Sequence, residues 1–120
     1  MRLTEELRKR TKQYASAIIQ LYVTLPMARK EVRVLGHQLL RSGTSVAAHS
    51  REASRARSDA EFCSKLDSAL QGADESALWV ELLRDDCGIT SKAVTDLLAE
   101  TDELMSIFVT IVNRTKRRRT

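Results

Sequence analysis

The stretch from Val32 to Arg57, VRVLGHQLLRSGTSVAAHSREASRAR, decides how the rest of the chain can fold. Its apolar and small residues recur mostly at steps of three and four, which is the spacing of one helix face. These residues are Val32, Leu35, Gly36, Leu39, Gly43, Val46, Ala47, Ser50 and Ala53. We therefore predict one long helix here, with small residues that let a neighbouring helix approach closely.

The segment Ser42-Gly43-Thr44 is the one argument against a single helix, because this composition also suits a turn. A glycine inside a helix costs about 1 kcal/mol relative to alanine. However, the apolar spacing continues in phase past Gly43, and no proline interrupts the stretch. The continuous phase favours one helix.

A second stripe of this helix is polar but poor in lysine and glutamate. It consists of Gln38, Arg41, Ser42, Ser45, His49 and Glu52. Such a mixture differs from an ordinary solvated face, and we interpret it as a face that contacts other protein.

Composition limits the fold class. The 120 residues are 42% hydrophobic but only 4% aromatic, with one proline and four glycines. This length predicts one domain. Few loop-forming residues and long periodic runs indicate an all-α protein with an aliphatic core.

No apolar run approaches the roughly 20 residues that span a bilayer. The start, MRLTEELRKR, lacks the apolar segment of a signal peptide. We expect a cytoplasmic protein without a membrane partner. Cys63 and Cys87 have no cysteine or histidine close by in sequence, so we expect reduced structural thiols rather than a metal site.

The charge is distributed unevenly along the chain. Residues 1–60 hold 12 basic and 5 acidic side chains, residues 61–113 hold 3 basic and 11 acidic ones, and residues 114–120 hold 5 basic ones. This asymmetry indicates either a polyanionic partner or self-association of unlike faces.

The pattern predicts four helices. The first runs from about Thr4, its N-cap, to Leu25, and Pro26 ends it. The second runs from Met27 or Ala28 to about Arg57. The connection between them is short, so we expect antiparallel neighbours.

The sharpest boundary is Ser58-Asp59-Ala60-Glu61, which has the spacing of a capping box. It opens a third helix that extends to about Asp86, with Gly88 just past its end. Thr90 or Ser91 caps a fourth helix. We divide the chain into a bundle, residues 1–113, and a basic C-terminal tail, residues 114–120.

Four helices with short connections and one apolar stripe each predict an antiparallel up-down four-helix bundle. Each helix also carries apolar residues off its stripe, which a monomer would leave in water. They include Ile19, Val23, Leu40, Leu78, Leu82, Ile107 and Val109. We therefore expect a homo-oligomer.

The residues also carry a resemblance. The segments are Arg41–Ala53 (RSGTSVAAHSREA), Ala56–Ser58, Glu61–Phe62, Ser64–Lys65, Ala73–Glu75 and Trp79–Leu83. Together they are similar to the four-helix-bundle proteins encoded in intervening sequences of bacterial 23S rRNA genes. That family is related to the accessory protein of diversity-generating retroelements. The match covers about Leu25 to Leu83, and the first and last helices match in pattern only.

The resemblance implies a bundle that assembles into a ring-like homopentamer with a basic surface. In the retroelement relatives that surface serves nucleic-acid and reverse-transcriptase binding, so a reverse transcriptase is an implied partner. This chain departs from the family pattern at His49-Ser50, where an Asn, often followed by Tyr, is usual. A histidine can replace that Asn in one tautomer only, so the polar stripe is either pH-sensitive or altered here.

We find no catalytic constellation and expect no enzyme activity, no cofactor and no metal. His49-x-x-Glu52 reverses the Glu-x-x-His order of di-iron bundles and occurs once. Ser45, His49 and Glu52 share a helix face, but no oxyanion hole or nucleophile turn accompanies them. A packing role for His49 is favoured.

The polar stripe has a structural interpretation instead. Opposite charges lie on adjacent helices, so they can pair at the seam between the second and third helices or across a subunit boundary. The predicted network consists of Gln38, Arg41, Ser45, His49, Glu52, Lys65 and Glu75.

The basic clusters are the candidate nucleic-acid contacts. They are Arg8, Lys9, Arg10 and Lys12; Arg29, Lys30 and Arg33; and Arg114, Lys116, Arg117, Arg118 and Arg119. The first and last clusters are expected at one end of the bundle. The first hypothesis is an oligomeric accessory protein that binds RNA or DNA through phosphates. The alternative is an oligomeric protein–protein adaptor without nucleic-acid contact.

Overall fold

The computed structural model describes residues 2–119, and the side chains of residues 5–118. This part of the chain contains four α-helices and no strand: α1 (Arg2–Tyr22), α2 (Lys30–Ser54), α3 (Asp59–Asp85) and α4 (Lys92–Arg119). Each helix packs against its neighbours in sequence, and α1 and α4 also meet. The predicted all-α four-helix fold is confirmed. None of the described helices combines the length and apolar character needed to cross a membrane.

The bundle is 51 Å long and 20 Å across. The α2–α3 seam is the most extensive contact, and the α1–α4 seam is the least extensive. Short connections make successive helices antiparallel, so the start of α1, the end of α2, the start of α3 and the end of α4 share one end of the bundle. We call this the C-terminal end.

Both predicted boundaries of the first helix were wrong. The first helix begins at Arg2, so Thr4 lies inside it rather than at its N-cap, and its side chain is outside the described part. This helix ends at Tyr22, before Leu25. The residue before a proline avoids helical backbone angles. Thr24 and Leu25 accordingly close the end with N–H bonds to the carbonyls of Leu21 and Tyr22.

The second helix is shorter than predicted at both ends, from Lys30 to Ser54 instead of Met27 or Ala28 to Arg57. It continues through Gly43, as the phase predicted. Its end is tightened because the Arg55 N–H donates to the Glu52 carbonyl, at 3.1 Å.

The capping residue of α3 is Ser58, whose hydroxyl accepts from the Glu61 N–H at 3.1 Å. The Glu61 carboxylate completes the motif differently from a capping box, since it accepts from the Arg57 N–H at 3.3 Å. Gly88 follows the helix with φ of +75°, a backbone angle that favours glycine. The fourth helix continues to Arg119 without a break at residue 113, and Thr115 is buried.

The core is aliphatic, and the predicted apolar stripes supply most of it. Ile18, Leu39, Leu66, Val80 and Leu104 are among its fully buried members. Four hydroxyl-bearing residues also lie at its centre, one from each helix: Tyr14, Ser42, Ser76 and Thr101. The sequence analysis placed Ser42 on the polar stripe, but it is completely buried. A small hydroxyl with a partner can lie inside a core at little cost.

The hydrogens of this buried layer can be assigned. The Thr101 hydroxyl donates to the Leu97 carbonyl at 2.6 Å. The Tyr14 hydroxyl therefore donates to Thr101 Oγ1, also at 2.6 Å. Burial raises the pKa of the Tyr14 phenol, and its hydrogen bond to Thr101 opposes that shift. This half of the layer thus joins α1 to α4.

The other half of the layer joins α2 to α3. The Ser76 hydroxyl donates to the Gly72 carbonyl at 2.7 Å. Its oxygen is then the acceptor for the Ser42 hydroxyl at 2.8 Å. Close by, a Cβ on Gly72 would lie 2.8 Å from Ser45 Oγ and 3.1 Å from the Ser42 carbonyl oxygen. Only glycine allows this approach of α2 and α3.

Tyr14→Phe should lower the free energy of unfolding by about 1 kcal/mol, because it removes a buried hydrogen bond and leaves the ring in place. The control is Tyr22→Phe, since the Tyr22 hydroxyl has no hydrogen bond to any described residue; a change of about 0.5 kcal/mol or less is expected there. Urea unfolding followed by circular dichroism measures both. Equal effects would contradict the assigned role of the Tyr14 hydroxyl.

Gly72→Ala should destabilise the protein although alanine is the better helix former by about 1 kcal/mol. The new methyl group would meet the Ser42 backbone, which cannot move aside without separating α2 from α3. Gly36→Ala is the matched control, because its Cβ would meet only movable side-chain ends, such as Leu25 Cδ1 at 2.9 Å. Thermal unfolding should rank Gly72→Ala well below Gly36→Ala; the reverse order would disprove the close-approach argument.

Candidate nucleic-acid interface

A groove with a cavity volume of about 680 Å³ lies at the C-terminal end of the bundle, across the last turns of α2. It is bordered by α1 on one side and α3 on the other. Six of its lining side chains are basic and two are acidic. The lining consists of Arg8, Lys12, Ala47, Ala48, Arg51, Glu52, Arg55, Arg57, Glu61 and Lys65. We call it the basic groove.

Helical spacing explains why these cations gather. Arg8 and Lys12 are four residues apart on α1, so they lie on one side of that helix. Arg51 lies in the last turn of α2, and Arg55 follows directly after its end. The two rows run antiparallel. Ala47 and Ala48 leave room between them, because their short side chains form a shallow floor.

Most of these charges have no partner among the residues that the structure describes. The side chains of Arg8, Lys12, Arg51, Arg55 and Arg57 make no hydrogen bond or ion pair with any described residue. Only Lys65 is paired, with Glu52 at 3.2 Å. Five cations around one depression repel each other, and an anion placed among them would relieve that repulsion.

The predicted helix-one cluster is divided by the fold. Arg8 and Lys12 face the basic groove, whereas Arg10 faces α4 and pairs with Glu100 at 2.7 Å and Glu103 at 3.1 Å. The bond to Glu100 raises the pKa of Arg10. Lys9 is exposed and lines no described groove. Arg10 therefore fastens α1 to α4, and its charge is already compensated.

The cluster of Arg29, Lys30 and Arg33 lies at the opposite end of the bundle. Arg29 donates to the Cys87 carbonyl at 2.9 Å and pairs with Glu31 at 2.8 Å. Arg33 donates to the Met27 carbonyl at 2.9 Å. Two of these three side chains hold connections between helices.

The last predicted cluster shares the C-terminal end but faces another side. Arg114, Lys116, Arg117 and Arg118 are exposed on the final turns of α4, and the Arg119 side chain is outside the described part. Lys116 lines a shallow depression with the α3 residues Cys63, Asp67 and Gln71. Because α4 lies diagonally across from α2, these residues form a second basic surface.

The predicted polar network lies along the α2–α3 seam. Arg41 Nη2 is 3.8 Å from Glu75 and 3.2 Å from the Gln38 side chain. His49 Nδ1 is 2.9 Å from Glu52, which also accepts from Lys65. The charged members are 34% to 60% exposed, so these are surface pairs at the α2–α3 seam.

Three comparisons with known proteins bear on this arrangement. The sequence profile of the 23S rRNA-intervening sequence proteins matches residues 5–110. The chain belongs to this family.

One solved structure similar to this family member is a protein of unknown function from the S23 ribosomal protein family of Bacteroides thetaiotaomicron. The two are 32% identical with a TM-score of 0.79, over 88% of this chain and 97% of the other. A search of curated proteins found no match. The family resemblance drawn from Arg41–Ala53 and the later segments is thus confirmed.

The sequence analysis of this 23S rRNA-intervening sequence protein did not include three basic residues of the groove among its candidate contacts: Arg51, Arg55 and Arg57. It sorted cations by clusters along the sequence, and these three alternate with other residue types. The four-residue spacing of Arg51 and Arg55 was the available signal. It becomes informative only when α1 is known to place Arg8 and Lys12 alongside.

The imagined Ser-His-acid arrangement does not form. The Ser45 hydroxyl donates to the Ser42 carbonyl at 2.8 Å instead of to His49. Within residues 2–119, no three of the histidine, cysteine and acidic side chains lie close enough to hold a metal ion.

The Lys65 ammonium holds the pKa of Glu52 below its ordinary value of 4.5, with a smaller contribution from His49. The folded-state pKa is the lower one, so the pair stabilises the fold above pH 4.5 and this contribution is lost as pH falls through the folded value. In an NMR titration, Lys65→Gln should raise the Glu52 pKa more than His49→Gln does. An unchanged pKa in Lys65→Gln would contradict this assignment.

Proposed function

We propose that this protein is a non-enzymatic, oligomeric accessory protein that binds RNA or DNA through phosphate contacts. The basic groove is the observation that carries the proposal, because five cations without a partner among the described residues surround one depression of about 680 Å³. A phosphate backbone is the polyanion that matches such a surface, and its binding depends steeply on salt.

The chemistry of the groove favours binding without sequence preference. Its lining contains no aromatic side chain on which a base could stack. Arginine and lysine around a shallow alanine floor can contact phosphates, and phosphate contacts carry no sequence information. The target is therefore expected to be selected by charge and shape.

Oligomerisation is the second part of the proposal. Five large apolar side chains of the described surface are 43% to 71% exposed: Ile19, Val23, Val34, Leu78 and Val109. Assembly that covers some of them would also repeat the basic groove on every protomer. Several weak phosphate sites on one particle bind a long polyanion far more tightly than a single site does.

The test is fluorescence anisotropy of a labelled RNA hairpin and of a DNA duplex, titrated with three double variants. Arg51→Gln/Arg55→Gln acts on the basic groove and Arg114→Gln/Arg118→Gln on the end of α4. Lys30→Gln/Lys92→Gln removes the same charge at the opposite end. Substitutions are preferable to shortening the chain at Asn113, because Thr115 belongs to the core.

Arg51→Gln/Arg55→Gln should weaken RNA binding at least tenfold at low salt, and should flatten the slope of log affinity against log salt by about 1.4 for a single-stranded contact. The Lys30→Gln/Lys92→Gln control should change affinity less than twofold. If the unaltered protein binds neither probe at low salt, the nucleic-acid proposal is wrong and the adaptor alternative gains support. Equal losses of affinity in Arg51→Gln/Arg55→Gln and in Lys30→Gln/Lys92→Gln would indicate attraction by net charge alone.

A further inference from the structure

A second groove, with a cavity volume of about 680 Å³, runs along the α3–α4 face and takes no part in the proposed phosphate contacts. Its lining combines three apolar side chains with two carboxylates and several small or amide groups. The residues are Leu70, Gln71, Asp74, Asp102, Met105, Ser106, Val109 and Thr110. We call it the acidic groove.

The two carboxylates of the acidic groove have no role in holding the described helices together. Asp74 on α3 and Asp102 on α4 make no hydrogen bond or ion pair with any described residue, and no lysine or arginine lines the groove. Two other acids of α4, the part-buried Glu100 and the exposed Asp96, do have cationic partners. Two like charges on adjacent helices weakly oppose their packing, and a cationic partner would remove that cost.

The apolar part of this face is exposed as well. Val109 is 43% exposed, and Leu78, one turn beyond Asp74 on α3, is 47% exposed. Leu70 and Met105 are half-buried between them. Exposed apolar side chains beside uncompensated charge are typical of a surface that another protein covers.

We propose that the acidic groove docks an amphipathic helix of a partner protein, one whose apolar stripe is flanked by lysine or arginine. The α4 side of the groove, from Asp102 to Thr110, is about 12 Å long, which accommodates two turns of a helix. Apolar side chains spaced i, i+3, i+4 and i+7 would pack on Leu70, Met105 and Val109. The unbranched Met105 side chain can adapt to different partners.

A second copy of this chain fits the acidic groove less well than another protein does. Among the large apolar side chains exposed on the described surface, only Val34 has basic residues within four positions, at Lys30 and Arg33. One exposed valine does not make an apolar stripe. Ile19 and Val23 lie in residues 13–28, which contain no charged residue.

The test uses a labelled peptide of leucine and lysine, with leucines at helical spacing, titrated into the full-length protein and followed by anisotropy. Asp74→Asn/Asp102→Asn should weaken binding at least tenfold, and Val109→Ser should weaken it severalfold. The control Glu6→Gln/Glu81→Gln removes two exposed acids elsewhere and should change affinity less than twofold. A peptide with serine in place of leucine should bind at least tenfold more weakly.

Equal losses in the two double variants, or equal binding of the serine peptide, would overturn the proposal, because attraction would then be general. A change in sedimentation of the peptide-free protein on Asp74→Asn/Asp102→Asn would also overturn it, by placing the groove between copies of this chain. Arg51→Gln/Arg55→Gln should leave peptide binding intact. The outcome is therefore independent of whether the protein binds nucleic acid.

Discussion

The buried hydroxyl layer fixes the bundle, because it sets the register of α1 against α4 and of α2 against α3. Tyr14, Ser42, Ser76 and Thr101 each need a partner within about 3 Å, and a shift of one turn in any helix would bury an unpaired hydroxyl. Apolar side chains above and below this layer tolerate small displacements, since dispersion contacts are not directional. In an otherwise apolar core, the hydroxyl pairs therefore select one register of the helices. The Ser42–Ser76 pair also depends on Gly72, which allows α2 and α3 to approach closely.

Much of this fold could be read from the sequence because helix periodicity and helix breakers are local signals. The phase through Gly43 correctly predicted one continuous helix, and Ser58 was correctly identified as a cap. Burial of Ser42 could not be read in the same way, since a serine is compatible with either face and only Ser76 on another helix decides between them. The first helix ends at Tyr22, three residues before the predicted Leu25. The proline rule alone excludes only Leu25, the residue directly before Pro26.

The basic groove was harder to predict, because it also depends on residues that are distant in sequence and meet only in the fold. Its cations come from three segments, and no single segment shows more than two or three of them together. Conversely, the dense run Arg8, Lys9, Arg10 and Lys12 suggested one basic patch, but these residues are distributed around a helix. Arg10 therefore faces α4 and forms ion pairs with Glu100 and Glu103. Charge density along a chain is a poor guide to charge density on a surface whenever a helix turns successive residues by about 100°. The polar network was more predictable, because α2 and α3 are joined by a short connection.

The unequal seams also imply an order of opening. Where α2 and α3 meet, backbones approach closely and small residues interlock, whereas α1 and α4 meet over a smaller area around Tyr14 and Arg10. Local unfolding begins where the fewest contacts must be broken. Amide hydrogens of the α2–α3 hairpin should therefore exchange with solvent last, and those of α1 should exchange earlier. The bundle then behaves as a rigid hairpin with two more loosely fastened outer helices.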